Sequence, residues 1–155
     1  MNLRKLLPRG KIPQEIFESL NPVFEGEVLY KQERYAEAEA SYLEALNDFP
    51  AGSGGRFLVY NKLGIVYEKL DDPHRAIKTY EKGVKEGTIT PFTYQRLAVL
   101  HLNSGNFREA IDYCQKGLRS LKLAKTDFFQ EVYFWFIFQR LKRKIRRSLP
   151  SSGKV

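Results

Sequence analysis

The 155-residue chain is poor in the side chains from which catalytic and metal sites are built, with one cysteine and two histidines. The single Cys114 excludes an intramolecular disulfide framework and fits a reducing compartment. No apolar run approaches the ~20 residues of a membrane-spanning helix, and the apolar stretch after Arg4 and Lys5 is too short for a secretory signal. We therefore expect a soluble, cytoplasmic protein that is not an enzyme and holds no metal or cofactor.

Acidic residues are missing from both ends of the chain. The formal net charge is +8, but residues 1–11 and 140–155 carry eleven basic residues and no acidic ones. Residues 12–139 hold the other 15 basic residues and all 18 acidic ones, a net charge of −3. The basic excess therefore belongs to the ends of the chain, mainly the C-terminal one, and does not characterise the body.

The strongest internal signal is a repeated segment. YNKLGIVYEKLDDPHRAIKTYEKGV (60–84) aligns with YQRLAVLHLNSGNFREAIDYCQKGL (94–118). An earlier copy, FEGEVLYKQERYAEAEASYLEALNDFP (24–50), lies slightly more than one period upstream, and residues 52–55 supply the extra length as a glycine-rich linker. A period of about 34 residues is typical of a stacked array of helical hairpins.

In each copy a small residue of the first half is followed, at the same distance along the chain, by an alanine of the second half: Gly26/Ala38, Gly64/Ala76 and Ala98/Ala110. We expect these small residues to lie where the two helices of a hairpin cross closely. Asn21-Pro22, Asp72-Pro73 and Thr90-Pro91 each pair an N-cap residue with a proline at the first helical position. Together these signals predict helices at about 13–20, 22–32, 36–48, 56–69, 73–85, 91–103, 107–120 and 127–147.

The pattern Tyr60-x2-Leu63-Gly64-x2-Tyr67, followed by Ala76-x3-Tyr80, resembles the tetratricopeptide repeat (TPR). The resemblance covers residues 22 to about 120, and it implies an all-α, right-handed α–α superhelix. We accordingly divide the chain into a basic N-terminal segment with a short helix (1–21), three hairpins (22–123), a long C-terminal helix (124–148) and a flexible tail (149–155). Because the family hosts many functions, the resemblance implies protein or peptide binding without naming a partner.

In this architecture the first helix of each hairpin lines a concave groove that binds partners. The repeat register predicts that the groove residues are Tyr30, Leu58, Asn61, Lys62, Ile65, Lys69, Phe92, Gln95, Arg96, Val99 and Leu102. Several of them are too apolar for a merely solvated face, so we expect either a partner or another part of the chain to cover them. His101 and Cys114 occupy aromatic positions of the repeat, which predicts packing roles for both.

Family members that bind the acidic C-terminal tails of chaperones use a clamp of lysines, asparagines and an arginine. Arg96 falls in one such position, but Val23, Glu27, Lys62 and Phe92 occupy the others. The resemblance therefore implies that this chain does not reproduce the clamp.

The segment VYFWFIFQRLKRKIRR (132–147) joins an apolar run to a basic one. Residues 125 onward stand one period after the third hairpin, with Phe128, Val132 and Trp135 in the places of Tyr94, Ala98 and His101, as expected of a capping helix. Capping can hide one face only, so we predict a second interface, with another protein or another copy of this chain, that uses Phe129, Tyr133, Phe134, Phe136, Ile137 and Phe138.

The basic patch of this helix consists of Arg140, Arg143, Lys144 and Arg147. We interpret the chain as a non-catalytic adaptor or scaffold that binds a peptide or helix in its groove and self-associates through the aromatic helix. The alternatives are contact with nucleic acid or the ribosome, and attachment to an anionic membrane surface, both through the basic patch.

Overall fold

A computed structural model describes residues 14–86, 90–123 and 128–149 of the chain. Over these ranges the secondary structure is helical and contains no strand. The helices are α1 (Gln14–Lys31), α2 (Tyr35–Asp48), α3 (Gly54–Lys69), α4 (Pro73–Lys85), α5 (Pro91–Asn103), α6 (Phe107–Leu123) and α7 (Phe128–Ser148). They form two compact units, one containing α1 to α4 and the other α5 to α7. No described helix is both long enough and apolar enough to span a bilayer.

Two of the predicted proline-marked helix starts are confirmed. The Asp72 side chain accepts a hydrogen bond from the backbone N–H of Arg75, and the Thr90 hydroxyl accepts one from the N–H of Thr93. Ser53 caps α3 in the same way, so this helix begins at Gly54, two residues earlier than predicted. The cap residues each satisfy a donor that the first turn of a helix cannot pair internally.

The third proline-marked start is wrong. α1 runs without a break from Gln14 to Lys31 with Pro22 inside it, so the predicted helices 13–20 and 22–32 are one, and the predicted boundary at residue 21 falls within α1. A proline inside a helix removes one backbone hydrogen bond. Pro22 and Val23 are both buried, and we attribute the continuity of α1 to this packing, which offsets the lost bond.

The two helices of each hairpin are joined by the same turn. One residue at the turn has a positive φ: Glu33 (61°), Asp71 (55°) and Gly105 (77°). The N–H of the next residue bonds to a carbonyl five residues earlier, from Arg34 to Leu29, from Asp72 to Tyr67 and from Asn106 to His101. This is the Schellman geometry, which closes a helix and turns the chain back, so the turn recurs even where the sequence supplies no glycine.

The close helix crossings predicted from the small residues are present in the first unit. A methyl group added to Gly26 would lie 2.6 Å from the Tyr42 ring, and one added to Gly64 would overlap the Tyr80 ring. Tyr42 and Tyr80 are almost wholly buried. Each glycine therefore makes room for a tyrosine that projects from the second helix of its hairpin.

The third hairpin departs from this pairing at both positions together, with Ala98 in place of the glycine and Cys114 in place of the tyrosine. Both side chains are completely buried. The tyrosine hydroxyls of the first unit donate to carboxylates, Tyr42 to Glu27 and Tyr80 to Glu68. Val99 and Leu102 stand at the equivalent positions of α5, so the loss of the carboxylates accompanies the loss of the hydroxyl.

α7 caps the third hairpin, but in a different register from the predicted one. Trp135, predicted to replace the buried His101, is 46% exposed. The completely buried residues are Phe138 and Ile145, which lie more than one repeat period after the buried residues of α5. A methyl group on Gly117 of α6 would overlap the Phe138 ring, so this glycine admits the phenylalanine that anchors the cap.

The paired changes in the third hairpin give a testable coupling. Cys114→Phe adds a ring without a hydroxyl to a crossing that holds an alanine, and overpacking of this kind costs about 1–3 kcal/mol. Ala98→Gly reopens the space, so the double variant should be more stable than the sum of the single effects, by at least about 0.5 kcal/mol. Chemical denaturation followed by circular dichroism measures all four proteins. Strict additivity would show that the two positions do not share one packing space.

Candidate partner-binding site

The inner helices of the first unit, α1 and α3, present a mixed apolar and polar face. Leu58 is 43% exposed and Lys69 is also exposed, whereas Asn61 and Ile65 are half-buried between them along α3. Tyr30, near the end of α1, is half-buried and packs against the Tyr35 ring with centroids 5.6 Å apart. These predicted groove residues are therefore at least partly accessible.

Lys62 is engaged within the unit. Its Nζ lies 2.5 Å from Oε2 of Glu27, which also accepts a hydrogen bond from the Tyr42 hydroxyl. The hydrogen bond from Lys62 lowers the pKa of Glu27, and the charges of Lys62 and Lys31 act in the same direction. Burial and the neighbouring Glu27 carboxylate raise the pKa of Tyr42. The lysine that the sequence places in the groove thus ties α3 to α1.

In the second unit, four of the five predicted groove residues are half-buried: Phe92, Gln95, Arg96 and Val99. The fifth, Leu102, is only 7% exposed, so its assignment to an open groove is wrong. α7 packs against α5 as well as α6, and we attribute the burial of Leu102 to this packing. The inner face of the second unit is therefore shared between α5 and α7.

A groove of about 620 Å³ lies between α5 and α7. Its floor and walls combine the amide of Gln95 and two apolar side chains with the whole of the predicted basic patch: Gln95, Ile137, Arg140, Leu141, Arg143, Lys144 and Arg147. No acidic residue is among the described residues that line it. The groove therefore combines a strongly positive potential with apolar contact area.

Four α7 residues of this groove share one side of the helix. Ile137, Arg140, Lys144 and Arg147 are separated by steps of three and four residues. α7 thus adds a side to the inner face of the second unit and contributes four cations to the groove. The sequence analysis assigned Ile137 to the outward interface, whereas the structure places it in this groove.

The N-terminal half of α7 exposes large aromatic side chains: Phe129 is 82% exposed, Tyr133 and Phe136 62% each, and Trp135 46%. Phe138, predicted to belong to the outward interface, is completely buried against Gly117, so that assignment is wrong. Phe134 is half-buried and stacks on the Phe138 ring with centroids 6.4 Å apart. The accessible aromatic set is therefore Phe129, Tyr133, Trp135 and Phe136.

The packing roles predicted for His101 and Cys114 are confirmed. His101 is 8% exposed and stacks on the Tyr113 ring at 5.2 Å between centroids. Cys114 is completely buried, and burial raises the pKa of its thiol to about 11. The glycine-rich linker leads into Arg56, whose guanidinium pairs with Glu86 at 2.9 Å, so this region serves the fold of the first unit.

Comparison with known families agrees with the hairpin geometry. Two models described as tetratricopeptide repeat match residues 18–85 and 93–120, which together make up more than half of the chain. The chain belongs to the tetratricopeptide repeat family. A TPR repeat-containing protein of Methanocaldococcus jannaschii is 30% identical over 93 residues, or 59% of this chain. The chain spans only 16% of that relative.

Solved TPR structures share the fold. The TPR2B domain of yeast Sti1, in a complex with pHsp70, superposes with a TM-score of 0.70 at 14% identity, over 86% of this chain and 99% of that one. The TPR domain of Sgt2 from Aspergillus fumigatus gives 0.68 at 17% identity, over 96% and 89%. PcrH in complex with the chaperone-binding region of PopD gives 0.69 at 12% identity, over 88% and 98%. The predicted all-α, TPR-like fold is confirmed.

The Glu27–Lys62 pair gives a direct electrostatic test. Replacing Lys62 with glutamine removes the largest influence that lowers the pKa of Glu27, so this pKa should rise, as measured by NMR titration of the carboxyl carbon. A group with a depressed folded-state pKa stabilises the fold above its unfolded pKa, and that contribution is lost as the pH falls through the folded value. The acid unfolding of the variant should therefore show a smaller pH dependence.

Lys69→Gln, an exposed lysine on the same helix, is the matched control and should leave the Glu27 titration unchanged. An unshifted Glu27 pKa in the Lys62 variant would mean that the pair does not form in solution.

Proposed function

We propose that this TPR protein is a non-catalytic interaction module and that the groove between α5 and α7 binds an acidic peptide segment of a partner protein. The observation that carries the proposal is the composition of that groove: four cationic side chains around two apolar ones, with no acid among its described lining residues. The cations would pair with carboxylates of the ligand, and Ile137 and Leu141 would contact an apolar side chain between them.

The chemistry of the basic residues favours carboxylate ligands. Arginine guanidinium groups bind carboxylates through two parallel hydrogen bonds, which fixes orientation as well as adding attraction. Arg140 and Arg147 lie seven residues apart, about two helical turns, so they would contact carboxylates about 10 Å apart. An extended peptide spans that distance in about three residues, and a sequence with acids at such a spacing and a large apolar residue between them fits.

The ligands of several fold neighbours are peptides. One neighbour is the first TPR of Spaghetti bound to an HSP90 peptide, and another is the second TPR domain of human RPAP3 in complex with an HSP70 peptide. At 18% and 14% identity these likenesses support the fold alone, and the ligand of this chain is inferred from its own groove. Because Glu27 stands at a clamp position and holds Lys62, we propose that the ligand differs from the chaperone tails.

A charge-matched pair of variants tests the groove. Lys144→Glu and Arg146→Glu change the net charge equally and lie two residues apart, but only Lys144 lines the groove. The probe is a fluorescein-labelled peptide with a glutamate at every third position and leucines between them, and its binding is followed by fluorescence polarisation at physiological salt. We expect Lys144→Glu to weaken binding at least about tenfold, since it replaces an ionic contact with a repulsion, and Arg146→Glu to weaken it less than about threefold.

The nucleic-acid alternative predicts a different pattern. Binding to phosphate follows the total basic charge and falls steeply with salt, so both variants would then lose affinity to a similar extent. A labelled duplex and a labelled single strand of mixed sequence serve as the comparison ligands. Tight, salt-dependent binding of either nucleic acid with no peptide binding would overturn the acidic-peptide proposal.

A second function is favoured by the aromatic face of α7. Tyr133 and Phe136 remain 62% exposed, and fully burying such side chains removes roughly 150–250 Å² of surface each from water. Contiguous exposed aromatics of this kind mark interaction surfaces. We propose that two copies of the protein associate through this face.

Sedimentation equilibrium of the full chain tests self-association. We expect a concentration-dependent dimer in the micromolar range, and Tyr133→Ser combined with Phe136→Ser should raise its dissociation constant at least about tenfold. Leu43→Ser is the control, since Leu43 is an apolar residue of α2 with similar exposure to Trp135, at 44%. A wild-type protein that stays monomeric at all concentrations would remove the self-association proposal and leave the groove proposal standing.

A further inference from the structure

The exposed face of α7 has a regular spacing. Six of its residues, separated alternately by four and three positions, follow one line along the helix: Phe129, Tyr133, Phe136, Arg140, Arg143 and Arg147. All six are exposed, and the buried Phe138 and Ile145 lie on the opposite side. Alternating steps of three and four are the spacing of a coiled-coil seam, whose residues face a second helix. We call these six residues the α7 seam.

The α7 seam has two chemically distinct halves. Its first three residues are aromatic and its last three are arginines. The halves are symmetric about position 138, so that Phe129 is as far from the centre as Arg147, Tyr133 as far as Arg143, and Phe136 as far as Arg140. A helix with this symmetry meets a copy of itself with every aromatic residue opposite an arginine, provided that the two run in opposite directions.

We propose that the occupant of the α7 seam is the α7 seam of a second copy, packed antiparallel with its two-fold axis at the level of residue 138. This inference rests on the self-association proposed above and specifies its geometry. Each interface then contains three kinds of pair, Phe129 with Arg147, Tyr133 with Arg143 and Phe136 with Arg140, each formed twice. Guanidinium groups stack on aromatic faces, so each pair forms a cation–π contact across the interface.

The charges decide between the two directions of packing. In a parallel pair, each arginine would face its own counterpart, and three like-charged contacts would oppose association. In the antiparallel pair no two seam arginines are directly opposite. The seam residues alternate between the a and d positions of a heptad. In an antiparallel pair an a position faces a d position, and each of the three proposed pairs joins an a position to a d position.

The size of the α7 seam sets the expected affinity. Complete burial of an aromatic side chain removes roughly 150–250 Å² from water, but Tyr133 and Phe136 are only 62% exposed. The six seam aromatics of a dimer therefore bury less than the ~1,200–2,000 Å² of stable interfaces. We therefore expect a micromolar rather than an obligate dimer. The three arginines also border the groove between α5 and α7, whereas Lys144, the residue mutated to test the groove, is outside the α7 seam.

Distances between spin labels on the full chain test the direction. Gln130→Cys and Ser148→Cys replace exposed residues outside the α7 seam, and the native Cys114 is completely buried, so wild-type protein should take up almost no label. Because a helix rises about 1.5 Å per residue, antiparallel packing separates the two copies of position 130 by about 24 Å along the seam and those of position 148 by about 30 Å. Parallel packing would bring each pair to about 10 Å, the spacing of packed helices.

An exchange of residues tests the pairs. Tyr133→Arg alone places an arginine opposite Arg143 of the second copy and should raise the dimer dissociation constant at least about tenfold. Adding Arg143→Tyr restores an aromatic–arginine pair and should return the constant to within about threefold of wild type. Circular dichroism confirms that each variant keeps its helices.

The outcomes separate the two levels of the inference. The antiparallel seam is overturned if the protein dimerises but both label distances are as short as parallel packing requires. It is also overturned if the exchange variant dimerises no more tightly than Tyr133→Arg alone. In both cases self-association stands. A protein that is monomeric throughout overturns both. The last outcome is a protein that does not dimerise but binds vesicles of phosphatidylcholine with about one-third phosphatidylserine. This result would assign the aromatic and basic face to a membrane surface and overturn the proposal.

Discussion

The close approach of two helices at a glycine is the constraint on which the hairpins of the first unit depend. Gly26 and Gly64 leave no room for even a methyl group, because the Tyr42 and Tyr80 rings fill that space. Each tyrosine also carries a hydroxyl that must be hydrogen-bonded when buried, and a carboxylate of the first helix accepts it. In each hairpin one glycine thereby fixes where the two helices cross, where the tyrosine ring lies and which carboxylate accepts its hydroxyl. These positions in turn set which residues of α1 and α3 remain on the inner face.

The third hairpin and its cap meet the same constraint differently. Alanine and cysteine share the crossing of α5 and α6, and no tyrosine hydroxyl needs a partner there. A glycine–aromatic contact reappears between Gly117 and Phe138, where it joins α6 to α7. On the inner face of the second unit, α5 carries apolar residues beside Gln95 and Arg96. α7 contributes four cations together with the apolar Ile137 and Leu141. The groove therefore combines positive charge with apolar surface.

Sequence reasoning predicted what depends on local chemistry or on the repeat. The starts of α4 and α5 follow from Asp72-Pro73 and Thr90-Pro91, because an N-cap and a proline act within one turn. The same signal failed at Asn21-Pro22, where the burial of Pro22 and Val23 outweighs a lost hydrogen bond. The repeat period located the hairpins but misplaced α7, because the identity of the buried residue there is decided by the fit of Phe138 to Gly117.

The sequence predicts which helices form the candidate site, but it predicts only some of the residues that line it. Periodicity identifies which side of α3 or α5 is inward, but it cannot show that Lys62 is held by Glu27 of the preceding hairpin or that Leu102 is covered. The prediction of an outward aromatic face on α7 depended on a count: the helix has more aromatic side chains than one buried face can hold. The exposure of Tyr133 and Phe136 agrees with that argument, but the second interface that it predicted stays a prediction. The argument could not separate Phe138 from Phe136 without the register of the cap.

The position of Phe138 divides α7 into two parts. Phe138 is the eleventh residue of the helix, so about three turns precede it. Phe138 and Ile145, which are completely buried, therefore lie in the C-terminal part, and the exposed Phe129, Tyr133 and Phe136 lie in the turns before it. Lengthening α7 at its N-terminal end would leave the contact of Phe138 with Gly117 intact, whereas removing eleven residues there would remove Phe138 itself. The exposed N-terminal turns can thus vary in length without loss of the cap, but the turns from Phe138 onward cannot.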